Sequence, residues 1–213
     1  MTPSKENILK KIRKALSEPT PIPFPQSEGS SLVYQPQIHD LEVQFAEEFT
    51  KLQGKFIFCL DDAELVAGLI NILQSKEWTK VYCTEKKLQK LFAIGSFPLD
   101  PEQILKDSQV SITSCECLVA RTGTIVMSAA QQNGRTASVY APIHICIAYS
   151  NQLVYDLRDA LQLVKEKYQQ KLPSLITFAS GPSRTADIEK TLVVGVHGPG
   201  EVYVLMVDGH SPE

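Results

Sequence analysis

Three loops in the second half of the sequence contain the residue types that bind anions and exchange protons. They are Arg121 to Thr124 (RTGT), Ser180 to Asp187 (SGPSRTAD) and Gly195 to Gly200 (GVHGPG). Each loop lies between two segments that are predicted to be strands. In open α/β sheets, ligands bind in the crevice beyond the strand ends, so polar loops that follow strands are the first candidates for a site.

The loop of residues 180–187 has the strongest chemical signal, because it directly follows an apolar segment and combines glycine, hydroxyl, guanidinium and carboxylate groups. Its backbone amides are predicted to bind an anion. Arg184 is predicted to hold carboxylate or phosphate through two parallel hydrogen bonds, and Asp187 to act as an acid or base or to orient Arg184. The alternative is a tight turn in which Ser183 or Thr185 caps a short helix and Arg184 pairs with a nearby carboxylate. The predicted ligand-binding residues of this loop are Ser180, Gly181, Ser183, Arg184 and Thr185.

Two histidines receive different predictions. His197 is flanked by glycines and a proline, which indicates a backbone path close to another surface or to a ligand. An imidazole exchanges protons near neutral pH, so His197 is predicted to be catalytic together with Asp187. His144 alternates with apolar residues along PIHICIAY and is predicted to be a satisfied core histidine.

The other candidate ligands lie in turns. Thr122, Gly123 and Thr124 form a predicted turn whose hydroxyls and amides face the same crevice. Arg135 follows the hairpin-like pair Asn133-Gly134 and is a second candidate for anion binding, with a solvated turn as the alternative. The sequence has no Walker loop, no dinucleotide-binding glycine pattern and no nucleophile elbow, which disfavours nucleotide binding by those routes and hydrolase chemistry.

Composition narrows the class of protein. Of 213 residues, 43% are apolar and 21% are charged, so the chain can bury a full core. The 21 basic residues are balanced by 24 acidic ones, for a net charge of −3, and the absence of a basic block makes nucleic acid an unsuitable partner. No apolar run is long enough to span a bilayer and the first residues lack the core of a signal peptide, so a cytoplasmic location is expected.

The five cysteines are predicted to be reduced core thiols, because four of them lie in or beside apolar strand-like runs. Cys115-Glu-Cys117 is the one pair that resembles a metal-binding motif. Zinc and iron–sulfur sites need about four ligands, and nothing nearby completes this pair, so no metal site is predicted in this chain.

The spacing of apolar residues predicts the helices and strands that position these loops. Residues 1–18 contain an amphipathic helix that is expected to pack on a partner subunit, and residues 19–39 form a proline-rich linker. Residues 40–213 form an α/β domain, in which apolar runs alternate with helices and predict a mainly parallel sheet covered by helices. Asp61 or Asp62 is predicted to cap the first covering helix, and a further helix is predicted over 156–171. Strands are predicted over 109–113, 117–120, 124–128, 137–140 and 143–149.

The segments LVARTGTIVMS, NGRTASVYAPIHICIAYSNQLV and SGPSRTADIE followed by GVHGP resemble the LUD domain family, of the lactate utilisation protein C type. The resemblance covers roughly residues 40–208 and is strongest from 118 onward. It implies a three-layer α/β/α fold similar to the sugar-phosphate isomerase and CoA-transferase superfamily. Members often have glutamate where this chain has Arg121, which argues against an acid or base role at that position and favours anion binding by the loop.

The resemblance also implies a role in oxidising L-lactate to pyruvate, with iron–sulfur clusters carried by partner subunits and no cofactor bound by this chain. In that leading hypothesis Arg184 and Arg135 hold a small carboxylate, and His197 or Asp187 assists proton removal. A second hypothesis is a non-catalytic assembly subunit of the same complex. A third, which rests on fold similarity alone, is a stand-alone enzyme acting on a sugar phosphate or CoA thioester. Catalysis by the chain alone and a homodimer are both left open.

Overall fold

The computed structural model describes residues 3–17, 40–100, 102–169, 171–186 and 192–209. The chain divides into two units, Met1–Pro36 and Gln37–Glu213. In the first unit, helix α1 spans Pro3–Ser17, and its apolar residues Ile8, Leu9 and Ile12 are exposed among charged neighbours. The predicted linker of residues 19–39 lies outside the described residues. Within the part of the chain that the structure describes, no helix is long and apolar enough to cross a membrane.

The second unit alternates strands and helices over its first half and is richer in strands over its second. Its helices are α2 (Leu41–Lys51), α3 (Asp62–Ser75), α4 (Lys86–Ile94), α5 (Ala137–Tyr140) and α6 (Leu157–Tyr168). Its strands are β1 (Lys55–Cys59), β2 (Val81–Tyr82), β3 (Val110–Ser114), β4 (Cys117–Val119), β5 (Thr124–Ser128), β6 (Ile143–Tyr149), β7 (Leu153–Val154), β8 (Ile176–Ala179), β9 (Arg184–Ala186), β10 (Leu192–Val194) and β11 (Glu201–Val207).

A five-stranded sheet forms the centre of this unit. Its order is β1-β11-β6-β3-β2, and every neighbouring pair is parallel. Every residue of β6 is buried, as expected for a parallel sheet that is covered on both faces. The predicted mainly parallel α/β fold is therefore confirmed.

The two faces of this sheet are covered differently. Helices α3 and α4 cover the first face, where Leu69 and Phe92 are buried against β3, β6 and β11. Helix α2 covers the second face with Phe45 and Phe49, together with a four-stranded sheet of order β7-β4-β5-β8. Helix α6 packs on the outer side of that second sheet through Val164. The second layer is thus a helix and a sheet, where helices alone were expected.

One predicted strand is wrong, because residues 137–140 form the short helix α5. The backbone amides of Val139 and Tyr140 both donate to the carbonyl oxygen of Thr136, at 3.1 and 2.9 Å. The Val-Tyr pair favours a strand only where a neighbouring strand and a core accept it. Here both side chains are exposed, and the local hydrogen bonds decide the conformation.

Helix α3 supplies a test of the predicted cap. The side chain of Asp61 accepts a hydrogen bond from the Glu64 amide at 2.8 Å, whereas Asp40, at the same position of α2, makes no capping hydrogen bond. Asp61→Ala is expected to lower the free energy of unfolding by about 1 kcal/mol, because an orphan amide loses its acceptor. The matched variant Asp40→Ala is expected to change it by less than about 0.5 kcal/mol. Urea unfolding of both variants measures the difference, and equal losses would contradict the assignment.

Candidate functional site

The structure brings two of the three predicted loops together at the end of the second sheet. Strands β5 and β8 are antiparallel, with Ile125 opposite Ala179, and this register places Thr124 beside Ser180. Their hydroxyl oxygens are 2.7 Å apart, and the hydroxyl of Thr122 is 2.8 Å from that of Thr124. A row of three hydroxyls therefore joins segments that are more than fifty residues apart in sequence.

Both loops rest on the last turn of α2, which lies at the amino edge of the parallel sheet. The guanidinium of Arg184 donates a hydrogen bond to the carbonyl oxygen of Leu52 at 2.5 Å. A Cβ on Gly181, whose φ is +80°, would lie 2.6 Å from that same oxygen. A cation next to the carbonyls that end a helix is favourable, so Arg184 stabilises α2 as well as being exposed to solvent.

The third loop is tied to the second by backbone hydrogen bonds. The Ser183 amide donates to the Pro199 carbonyl at 2.9 Å, and the Gly195 amide donates to the Ser183 carbonyl at 3.0 Å. His197 lies between those contacts and is exposed. Thr185 lies in β9 opposite Val193. The predicted catalytic residue Asp187 lies outside the described residues.

The structure does not bring Arg135 to the other predicted residues. Its guanidinium donates to the hydroxyl of Ser174 at 2.5 Å, just before β8 begins. Because Ser180 follows the end of β8, Arg135 lies at the opposite end of that strand. The turn that carries Arg135 follows β5, so its direction is set by strand pairing, which a local turn signal does not report.

Arg121 is bound to a carboxylate of its own chain. It forms an ion pair with Asp156, with 2.5 Å between guanidinium nitrogen and carboxylate oxygen. Burial opposes the ionisation of Asp156, but hydrogen bonds from the Arg121 guanidinium and the Arg158 amide outweigh it and hold the pKa of Asp156 below its usual value. Asp156 also caps α6, so the cation at position 121 joins the turn after β4 to that helix.

A second polar region, which sequence reasoning missed, lies at the carboxyl edge of the parallel sheet. It surrounds a cavity of about 310 Å³. Two buried glutamates, Glu85 and Glu116, lie at or behind its wall, and Lys167 lies at its side. The cavity is lined by Glu85, Lys87, Leu88, Leu91, Ser114, Cys115, Ala130, Gln131, Gln132, Ile147, Tyr149, Gln152, Lys167 and Tyr168. The sequence contains one signal for this region, Glu116 in Cys115-Glu-Cys117, because it is a charged residue within an apolar segment.

The cysteines lie in three separate apolar clusters. Cys59 and Cys83 are on the first face of the parallel sheet, Cys115 and Cys146 on the second, and Cys117 beneath α6. All five are buried free thiols, as predicted, and burial raises the pKa of Cys83 to about 12. Because a cluster needs about four thiolates in one place, these residues do not fit an iron–sulfur centre. The described residues also contain no group of three or more metal-ligating side chains.

His144 fulfils its prediction as a core residue. Its Nε2 is 2.8 Å from the hydroxyl oxygen of Thr113, and burial lowers the pKa of His144 to about 4. The ring is therefore neutral at physiological pH.

Comparison with known proteins identifies the family. The LUD domain matches residues 99–207, which is half of the chain and includes Arg121, the row of hydroxyls, Arg184 and His197. This chain belongs to the LUD domain family. A solved DUF162 family protein from Deinococcus radiodurans shares the fold, with a TM-score of 0.59 and 21% identity over 78% of this chain and 96% of that one.

Several curated relatives of this chain share one name, and another is uncharacterised. Lactate utilization protein C of Shouchella clausii is 34% identical over 131 residues, which cover 55% of this chain and 57% of that protein. Lactate utilization protein C of Bacillus subtilis is 36% identical over 112 residues, covering 50% and 47%. An uncharacterised protein of Neisseria meningitidis is 32% identical over 95 residues, covering 45% and 40%. The chain thus spans about half the length of the curated relatives it matches.

Gly123 is predicted to be essential for seating the first loop on α2. Its φ is +55°, and a Cβ there would lie 2.5 Å from the Phe49 backbone nitrogen, whereas Gly134 has a φ of +67° with open space around it. Gly134→Ala is expected to lower the free energy of unfolding by about 1 kcal/mol, from backbone strain alone. Gly123→Ala adds a backbone clash and is expected to lower it by about 3 kcal/mol or more. Thermal or urea unfolding compares them, and equal losses would contradict the contact.

The ion pair between Arg121 and Asp156 predicts a pH-dependent stability. A depressed carboxyl pKa stabilises the fold above the unfolded value of about 3.9, and that contribution is lost as pH falls through the folded pKa. Arg121→Gln is expected to lower the free energy of unfolding at pH 7 by about 1 to 3 kcal/mol, because a charge-assisted hydrogen bond is removed. The difference from the parent chain should shrink below about pH 4. Urea unfolding at pH 7 and pH 3 tests this, and a constant difference would exclude an ionic origin.

Proposed function

We propose that this LUD domain chain works in lactate utilisation, as a subunit of a system that oxidises L-lactate to pyruvate. The name of its relatives, lactate utilization protein C, supports lactate as the substrate. The observation that carries the site is the position of Arg184, held by Leu52 beside Gly181 and the hydroxyl of Ser180. In this proposal the chain contributes the site for the small carboxylate.

The chemistry of lactate matches the groups at this edge. A guanidinium has five N–H donors, and the hydrogen bond to Leu52 uses one of them while setting the orientation of the side chain. The remaining donors bind the substrate carboxylate through two parallel hydrogen bonds. No ion pair among the described residues includes Arg184, so this charge has no competing carboxylate there.

In this proposal, the chain takes part in proton removal and its partners accept the electrons. Conversion of L-lactate to pyruvate releases two electrons and two protons. His197 or Asp187 is proposed to accept the hydroxyl proton as a general base, and the hydrogen on C2 is released as a proton when the two electrons leave. The thiols of this chain do not form a cluster site, so iron–sulfur clusters, and the electrons, are assigned to partner subunits.

The test is calorimetric titration of the full chain with L-lactate and with pyruvate. Arg184→Ala is expected to weaken binding by about 10- to 100-fold, because hydrogen bonds to a charged group are lost. Arg184→Lys keeps the charge without the planar fork and is expected to lose less. Arg158→Ala, which removes an exposed arginine on α6, is the matched control and should bind as the parent chain does.

Three results would contradict this proposal. If Arg184→Ala binds lactate as the parent chain does and has the same unfolding midpoint, the lactate site is not at the amino edge. If neither L-lactate nor pyruvate binds measurably, the non-catalytic assembly role is favoured. Turnover of a sugar phosphate or CoA thioester by the chain alone would favour the stand-alone enzyme.

A further inference from the structure

The cavity at the carboxyl edge lies where the chain leaves the parallel sheet in opposite directions. After β2 the chain enters α4, which packs on the first face. After β3 it enters β4, which belongs to the sheet on the second face. Neighbouring strands whose connections diverge in this way open a crevice at their carboxyl ends, and this is where open α/β sheets bind ligands.

One wall of this crevice carries a lysine with a fixed position and a stable charge. Glu116 has a fully buried side chain and accepts hydrogen bonds from Lys167 and Tyr168, both at 2.7 Å, and from Ser128 at 2.5 Å. Burial opposes the charge on Lys167, but Glu116 outweighs burial and raises the pKa of Lys167. An ammonium has three N–H donors, and the hydrogen bond to Glu116 uses one. About half of the Lys167 side chain remains exposed.

A second wall carries a carboxylate, Glu85, that is held by neutral groups. Glu85 accepts hydrogen bonds from the Ser114 amide at 2.7 Å, the Ser114 hydroxyl at 2.5 Å and the Asn133 side chain at 3.1 Å. No ion pair among the described residues includes Glu85, although it is only 8% exposed. A carboxylate offers about four acceptor positions, so one position remains. Burial of a carboxylate without a cation is costly, so the hydrogen bonds from Ser114 and Asn133 must compensate it.

Apolar and polar surfaces meet between these two walls. Leu88, Leu91 and Ile147 supply the apolar part of the lining, and Gln131 donates to the Ser114 hydroxyl at 3.1 Å. The volume of about 310 Å³ is at the lower end of the range for small-molecule sites. A few convergent polar groups on an apolar lining are what such sites use to orient a ligand.

We propose that this crevice is a second small-molecule site, which takes a hydroxylated organic anion. The anionic group pairs with Lys167, a hydroxyl donates to Glu85, and the carbon chain contacts the apolar lining. Glu116 is a positioning residue, because it acts on the ligand only through Lys167. The site goes beyond the proposed lactate function, since it lies at the opposite edge of the sheet and shares no residue with the Arg184 loop.

The experiment titrates the full chain calorimetrically with glycerate and with glycerol 3-phosphate. Each probe has two hydroxyls on neighbouring carbons, and the anionic group is a carboxylate in the first and a phosphate in the second. Ala130→Trp narrows the mouth of the crevice without touching either charge, and Ala93→Trp adds the same bulk at an exposed position of α4 outside the lining. Lys167→Met is combined with Glu116→Gln, so that no buried carboxylate is left without its cation. Circular dichroism checks that each variant is folded.

Binding of either probe should weaken at least about tenfold in Ala130→Trp and in the double variant, and should be unchanged in Ala93→Trp. Binding of one probe alone identifies the anionic group as carboxylate or phosphate and supports the proposal. The Arg184 loop is also proposed to hold small carboxylates, so the comparison of Ala130→Trp with Ala93→Trp is repeated on an Arg184→Ala background. A tenfold loss that persists on that background belongs to the crevice and is separate from the lactate test. No binding of either probe up to about 10 mM, or equal binding by Ala130→Trp, would overturn the proposal.

Discussion

Burial of the central parallel sheet on both faces is the constraint on which the rest of the structure depends. Strand β11 shows it directly, because Val202, Val204 and Met206 enter the core of one face while Tyr203 and Leu205 enter the core of the other. A parallel sheet needs a covering layer on each side, so each connection packs on one face or the other. The crevice at the carboxyl edge opens because α4 packs on one face and β4 on the other. Helix α2 packs on the second face, and its last turn lies at the amino edge.

Each edge handles charge in its own way. At the amino edge, Arg184 meets the end of α2, where backbone carbonyls favour a cation, and it stays in contact with solvent. At the carboxyl edge, Glu116 is fully enclosed and is compensated by Lys167. The first arrangement keeps the Arg184 side chain exposed. The second arrangement holds the Lys167 ammonium in one position beside a cavity, because the buried Glu116 carboxylate would be left without a cation if the lysine moved away.

Membership of the LUD domain family rests on residues 99–207, which include the hydroxyl row, Arg184 and Glu116 but not Leu52 or Glu85. The fold is shared with the protein from Deinococcus radiodurans. The two polar regions lie at opposite edges of the sheet and have no residue in common. The five thiols are buried in three separate clusters of the core.

The sequence by itself determined the elements with strong periodicity and the class of fold. Strands 124–128 and 143–149, a helix cap at Asp61 or Asp62 and the core position of His144 were all predictable, because alternation and capping are local properties. The structure places the cap on Asp61. Only the tertiary structure decided what those elements bring together. Arg135 and Arg184 look equivalent along the chain, yet strand pairing separates them by the length of β8. Glu85 and Glu116 lie 31 positions apart and reach the region of one cavity because two neighbouring parallel strands end there, a long-range relation that no local pattern encodes.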